Sequence, residues 1–567
     1  MPETVSIPVP TTDAASYHAK GWWRDTTLLD DFLANVAERP DKIAIVADHA
    51  GAPTETLTFG QLGDIVDRIA AGLLELGVRP GEIVSFQLPN WWQFAAMNLA
   101  ITRVGAVTNA ILPILRHREL AFILERTGSR LCVVPDSFRG FDYAGMLNDV
   151  AASVPTLTHV FAVGAAGDRP GVHSFDRFFL ERDPAPASVL DPLRPAGDDV
   201  AQVQFTSGTT GEPKGVVHTH NTVRCGTRSV TGRLGLNPDD ALLFFSPLAH
   251  TVGYYFGCYL PLADGMTVVY QDAWDAEHML DLVNTYQCVW TMAAPTFLAD
   301  LCATVEKTGV TIPSMRIISC AGAPVPPPLI AEVNRRLGAT VLVAWGMTEV
   351  GAVTTTTTDD PDTLVTTTDG CPPDWVELTV VDADGHAVPA GTPGRLLVRG
   401  ASTCLTYFKR PDLFAAATHD GWLDTGDIAV QWDNGYIRIA SRSKDLVIRG
   451  AENIPVVEVE SALLDHPAVR DVAVIAVPDD RLGERACAVL VPRDPRNPPT
   501  LPELLRHLAE LNMAKQFWPE YLHIIDALPT TATGKVQKFK LREDAVNWNL
   551  TLNTATTTPD LATTGES

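Results

Sequence analysis

The stretch "FTSGTTGEPKGVVHTH", residues 205–220, places five Ser/Thr hydroxyls and three glycines around Lys214. Glycines let backbone N–H groups turn into a concave loop, where they can surround an anion. Thr206, Ser207, Thr209 and Thr210 add side-chain donors, and Lys214 adds a mobile positive charge. The P-loop of kinases and ATPases needs G-x-x-x-x-G-K followed by Ser or Thr and then a helix. Here Pro213 precedes the lysine, Gly215 follows it, and the continuation "GVVHTH" suits a strand. Upstream, Ala201, Val203 and Phe205 alternate with Gln202 and Gln204, again a strand pattern. The loop is therefore expected to join two strands as a hairpin. A plain surface turn is the alternative for any Gly/Ser/Thr cluster, but donors packed this densely beside a lysine favour a phosphate cradle.

The chain has 567 residues, too many for one hydrophobic core. Its 46% apolar and 20% charged content is that of a soluble globular protein. A net charge of −25 argues against a general nucleic-acid or anionic-membrane surface. Phosphate binding in so acidic a chain requires local, preorganised donors. The nine cysteines are scattered without a C-x-x-C pair, so neither a zinc site nor a disulfide framework is expected. Buried thiols in a reducing cytoplasm are the reading. The N-terminus lacks the basic and apolar regions of a signal peptide, and Arg103 interrupts the longest apolar stretch, so no membrane span is expected.

Through the first 440 or so residues, helical patterns such as "LTFGQLGDIVDRIAAGLLELGV" alternate with short strands such as "GEIVSFQLPN" and "SRLCVVPD". That alternation implies α/β layers with parallel sheets. From residue 375 the texture becomes β-rich, with Asp-Gly and Pro-Gly turns. After "SRSKDLVIRG" it changes again to a compact α+β unit. The expected domains are residues 1–443, 444–545 and a Thr-rich, disordered tail at 546–567. The "TTTTT" run at 354–358 is expected to be a short exposed loop or edge strand.

Four further stretches belong with the opening loop. "AWGMTEVG" carries Thr348 and a single carboxylate, Glu349; "GWLDTGD" ends in Asp427; "SRSKDLVIRGAEN" carries Arg442 and Lys444; "LPTTATGK" presents Lys535 after a glycine. Each is weak alone. Together they supply a phosphate loop, a carboxylate able to hold magnesium, an aspartate able to take two ribose hydroxyls, and two late lysines.

In these motifs and their order the chain resembles the adenylate-forming superfamily of acyl- and aryl-CoA synthetases, peptide-synthetase adenylation domains and luciferases, over residues 17–545. "SPLAHTVGYYFGCYLPLADGMTVV", "AWGMTE" and "RGAENIPVVEVE" are closest to CoA ligases for alicyclic acids such as cyclohexanecarboxylate, while "YHAKGWWRDTTLLD" is similar to aryl-acid ligases. The resemblance implies a large N-terminal domain of layered α/β sheets with a β-rich subdomain, and a small α+β C-terminal lid. It implies an ATP-dependent acid–CoA ligase working through an acyl-adenylate. The expected partners are Mg2+, ATP, coenzyme A and a carboxylic acid, with a homodimer left open.

Residue by residue, the resemblance makes Thr206, Ser207, Gly208, Thr209, Thr210 and Lys214 the pyrophosphate loop and Glu349 the magnesium carboxylate. Ala321, Gly322, Ala323 and Pro324, with Ala344, Trp345, Gly346, Met347 and Thr348, would enclose adenine. Asp427 would bind ribose, with Arg442 beside ribose and phosphate. Lys535 would bridge carboxylate and α-phosphate. Lys444 would be the hinge of the lid, and Arg449, Gly450, Ala451 and Glu452 would line the coenzyme A tunnel. His250, Thr251, Val252, Gly253 and Tyr254 would form an apolar acyl pocket with room for a compact ring, His250 acting as a gate and not as a base. Ser441, Ala451, Trp345 and Thr530 depart from the family pattern, and Thr251 stands where hydroxybenzoate ligases have asparagine. The alternatives are an aryl-acid or other adenylation enzyme that loads a carrier-protein thiol, and a nucleotide-binding regulator without catalysis. Lys535, Glu349 and Lys214 argue against the last.

Overall fold

The segment with alternating Gln and apolar residues forms the strand Val200–Thr206, and it pairs antiparallel with Lys214–Thr219, Thr206 standing opposite Lys214. The opening motif is thus a β-hairpin, as its sequence requires. The computed structural model describes residues 11–164, 169–206, 213–442, 447–449, 452–454, 456–479, 483–511, 513, 515–530, 536–548 and 550. Ser207, Gly208, Thr209, Thr210, Lys444, Gly450, Ala451 and Lys535 lie outside the described residues, as does the expected joint at 443/444.

Two compact units divide the chain. One holds residues 1–325, 329–378 and 397–424, and the other holds 326–328, 379–396 and 425–567. The first contains two eight-stranded sheets. In one, Ile43–Asp48, Thr267–Gln271, Ala241–Phe244, Cys288–Ala293, Ile317–Cys320 and Thr340–Met347 run parallel. Antiparallel strands Glu55–Thr58 and Gly351–Thr355 close its two edges. In the other, Val200–Thr206, Val107–Ala110, Ile83–Phe86, Leu131–Pro135 and His159–Val163 run parallel. The hairpin strand Lys214–Thr219 and the short Thr406–Tyr407 extend this sheet antiparallel. Long crossovers between parallel strands are helical, as the alternating texture implies.

One core takes residues from both sheets and from helices Phe59–Glu75 and Trp92–Arg103. The second helix is buried along its whole length, which suits its lack of a polar face. Arg103, the charge that interrupts the apolar run, is buried there between the carboxylates of Asp67 at 3.0 Å and Asp191 at 2.8 Å. No helix among the described residues is long and apolar enough to cross a membrane.

Two expectations need correction. Thr354, Thr355 and Thr356 lie on or beside an edge strand but are 0% exposed. The Thr354 hydroxyl donates to the Asp369 carbonyl at 2.6 Å, and Thr356 Oγ1 accepts from the Val343 N–H at 2.9 Å. Backbone partners thus satisfy hydroxyls that composition alone assigns to water. The tail expected from 546 is ordered at its start: Trp548 stacks on His523 with centroids 3.8 Å apart and planes at 11°. Trp548 and Leu550 pack on the core containing Leu541 and Ala545.

In the second unit, Glu452–Ile454, Val447–Arg449, Gly483–Pro492 and Val469–Asp479 form an antiparallel sheet, with Tyr521–Ile524 added parallel to Gly483–Pro492. Helices Val456–Leu464 and Leu501–Glu510 contribute to one core, and Lys538–Ala545 contributes to another. The β-rich segment gives strands Val376–Val381, Gly394–Gly400 and Trp422–Gln431, and the division between units runs through all three.

Candidate active site

Lys214 begins the second strand of the hairpin, and its partner on the far side is Thr406–Tyr407, with Val216 opposite Tyr407. The Phe408 N–H donates to the Gly215 carbonyl at 2.6 Å and the Leu405 N–H to the Val217 carbonyl at 2.9 Å. This pairing sets the Lys214 ammonium 4.6 Å from the centre of the Tyr407 ring.

The same tyrosine reaches Glu349. Its hydroxyl donates to Glu349 Oε1 at 2.8 Å, and the carboxylate is 8% exposed. Glu349 stands in the turn between Thr340–Met347 and Gly351–Thr355, and three groups fix that turn. The Cys404 N–H donates to the Glu349 carbonyl at 2.7 Å, His218 Nε2 donates to the Thr348 carbonyl at 2.8 Å, and Tyr407 holds the side chain. Burial lowers the pKa of His218 to about 4, so the imidazole is neutral and keeps one N–H for that carbonyl. Burial first, and then the Glu349 charge, raises the pKa of Tyr407, which therefore remains a donor.

One predicted adenine segment, 344–348, runs directly into this turn, and the other, 321–324, follows the neighbouring strand of the same sheet. Ala344, Trp345, Gly346 and Met347 complete the parallel sheet and pair with the Gly351–Thr355 edge strand. A Cβ on Gly346 would lie 2.2 Å from the Gly351 carbonyl, so the close pairing requires glycine. Ala321, Gly322, Ala323 and Pro324 follow the end of Ile317–Cys320, and the Ala321 N–H bonds the Ala293 carbonyl at 3.2 Å. Thr251 is buried and donates to Gln204 Oε1 at 3.0 Å, with Thr348 Oγ1 3.4 Å away. The hairpin strand, the 250s segment and the Glu349 turn therefore meet.

The segment expected to form the acyl pocket is closely packed at two of its residues. Gly253 does not open space: a Cβ there would lie 2.2 Å from the Pro247 carbonyl, so it serves a close backbone approach. Tyr254 is 4% exposed and donates to Asn98 Oδ1 at 2.7 Å. His250 and Val252 are the half-buried members. The segment runs on as the π-helical turn Gly253–Tyr259, a wide geometry common at functional sites.

In the second unit, Asp427 is 1% exposed and stands opposite Arg442 in strand register. Its N–H donates to Thr425 Oγ1 at 3.1 Å, and Thr425 in turn donates to the Leu396 carbonyl at 2.8 Å. Arg449 is turned inward: its guanidinium donates to Glu520 Oε1 at 2.6 Å, and Glu520 is 1% exposed. Glu452 pairs with Arg449 through the backbone. Tyr407, His218 and Glu520 escaped the sequence reading because no local pattern marks them.

Residues 32–408 match the AMP-binding enzyme family, and residues 458–535 match the AMP-binding enzyme C-terminal domain. A medium-chain fatty-acid–CoA ligase of Escherichia coli (strain K12) is 32% identical over 531 residues, 94% of this chain and 92% of the relative. A salicyl-AMP ligase / salicyl-S-ArCP synthetase of Mycobacterium tuberculosis is 33% identical over 94% of this chain and 93% of its own length. The crystal structure of the anthranilate CoA ligase AuaEII in complex with anthranoyl-AMP superposes with a TM-score of 0.83 at 25% identity, covering 92% of this chain and 98% of that one. The chain belongs to the AMP-binding enzyme family. It shares with these relatives the class of acid ligases that act through an adenylate.

Proposed function

We propose that the protein is an ATP-dependent carboxylic acid–CoA ligase acting on an alicyclic or medium-sized acid. The observation that carries this reading is the meeting of Lys214 and Glu349 on Tyr407 at the foot of the hairpin, in a chain of net charge −25. A localised cation beside a partly committed carboxylate suits a polyphosphate and its counter-ion.

In the first step a carboxylate oxygen of the acid attacks the α-phosphorus of ATP, and the bond to the pyrophosphate oxygen breaks. Two anions must approach, so preorganised donors lower the barrier most. On this reading Thr206, Ser207, Gly208, Thr209, Thr210 and Lys214 hold the departing phosphates. Lys535 bridges the attacking carboxylate and the α-phosphate, a contact that suits a point charge on a flexible stem. Asp427 accepts from the ribose hydroxyls, with Arg442 beside it, and residues 321–324 and 344–348 border adenine. Glu349 Oε1 is taken by Tyr407, and among the described residues Oε2 has no hydrogen-bond donor, so this hard oxygen fits Mg2+. When bound, Mg2+ supplies neutralisation of phosphate charge.

In the second step the thiol of coenzyme A attacks the acyl carbonyl carbon and AMP leaves with the bonding pair. Lys444 is proposed as the pivot that withdraws Lys535 and brings residues 449–452 to the thiol channel. Because the Arg449 side chain is held by Glu520, its contribution there would be backbone.

A panel of acids assayed for pyrophosphate release, with and without coenzyme A, tests the reading. Cyclohexanecarboxylate or medium-chain acids should exceed acetate and palmitate by tenfold or more, since each buried CH2 is worth about 0.8 kcal/mol. Equal turnover of acetate would overturn the pocket assignment. A second reading, an aryl-acid enzyme that loads a carrier protein, is favoured by the salicyl-S-ArCP synthetase relative. Preference for salicylate with no thioester formed on free coenzyme A would select it.

A further inference from the structure

We propose that Tyr407 is the positioning residue that keeps the two site charges in place: its hydroxyl fixes one oxygen of Glu349 so that the other can meet a divalent cation, and its ring seats the Lys214 ammonium for a phosphate. The inference rests on the reading of this place as an ATP site.

Tyr407 is 3% exposed, stands opposite Val216 in strand register, and meets the Phe414 ring edge-on at 5.5 Å and 88°. Its orientation is therefore set by the hairpin strand that carries Lys214. The chemistry of the donor matters. An arginine in this position would neutralise Glu349 and remove its attraction for a metal ion, whereas a phenol donates a hydrogen bond and leaves the negative charge intact. Without the hydroxyl, a nearly buried carboxylate oxygen would lose its partner and the side chain would lose its fixed direction. The ring face holds Lys214 without discharging it, because a cation–π contact leaves the ammonium protons for a phosphate oxygen.

Calorimetric titration of ATP in EDTA and in excess Mg2+ reads this directly, on the wild type, Tyr407→Phe and Tyr407→Leu. The Phe variant keeps the ring, so its affinity for ATP in EDTA should match the wild type. The tightening produced by Mg2+ should shrink by about tenfold, the size of one hydrogen bond to a charged group. The Leu variant should in addition lose roughly three- to tenfold affinity in EDTA, through the unseated lysine. A merely structural role would weaken both titrations of the Phe variant alike, and that result overturns the proposal. So does a wild-type Mg2+ effect in the Phe variant, or no Mg2+ effect in the wild type. Glu349→Gln, which leaves Tyr407 in place, guards against loss of folding. In that background Tyr407→Phe should change the Mg2+ effect no further, and a full additional loss would overturn the proposal. The ligase reading is tested separately: wild type that binds ATP with Mg2+ but releases no pyrophosphate with any acid overturns that reading alone.

Discussion

Glu349 and Glu520 are both nearly buried carboxylates, and they are treated in opposite ways. Glu520 is 1% exposed, and both its oxygens are consumed. Oε1 accepts from Arg449 at 2.6 Å and Arg485 at 3.4 Å, and Oε2 accepts from the Ala486 N–H at 3.0 Å. Its charge is cancelled inside the small unit. Glu349 is held by a neutral phenol on one oxygen and keeps its charge. The first arrangement orders a fold, because two guanidiniums are tied to one point. The second leaves a carboxylate charge that the phenol does not cancel, with Lys214 seated on the same ring, and such a charge favours a further cation at the site. Partner chemistry, not burial, separates the two roles.

The sharpest way to break the comparison is Glu520→Ala. It removes the carboxylate that Arg449 and Arg485 share, leaving Arg485 on Asp479, and the small unit should lose about 3 kcal/mol in urea unfolding. A loss below about 1 kcal/mol would show that the cluster is not a fold element. Glu349→Gln should do the reverse. Stability should hold within about 1 kcal/mol because the amide oxygen can still accept from Tyr407, while acid-dependent pyrophosphate release should fall on the order of 10²-fold or more. Full activity in this variant would remove Glu349 from the proposed chemistry.

Elements set by local period were legible in the sequence. The hairpin around residues 206–214, the parallel-sheet alternation and the helix–strand order of the small unit all follow from side-chain spacing. What escaped depends on distant segments. Tyr407 belongs to a two-residue strand whose partner, Val216, comes from the hairpin far upstream. Arg103 could be read only as a break in an apolar run, since its partners lie 36 and 88 residues away in sequence. Buried Thr354 and Thr356 depend on backbone partners that composition does not reveal. That Gly253 serves a close backbone approach depends on the Pro247 carbonyl, which the residue type alone does not reveal.

A third charged cluster places a titratable cation where Glu520 has arginines, and so gives the comparison a pH axis. His49 pairs with Asp272 at 3.5 Å and Glu55 at 3.3 Å, while the indole N–H groups of Trp91 and Trp92 donate to Asp272 and Glu55 at 2.9 and 2.8 Å. Burial alone would lower the His49 pKa, but the two carboxylates of Asp272 and Glu55 beside the ring outweigh it and raise it to about 9. The sign follows from a folded pKa above the unfolded value of about 6.5: the stabilisation is complete below that pH and is lost as pH climbs through about 9. Between pH 6 and 10 the wild type should lose on the order of 1–3 kcal/mol more stability than His49→Gln, read as the difference between two urea-unfolding series. His49 also lowers the pKa of Glu55 and Asp272, but carboxylates held below their ordinary range titrate below this window, so the difference between the two series reports the histidine. Parallel pH profiles for the two would mean that the His49 charge contributes nothing to folding.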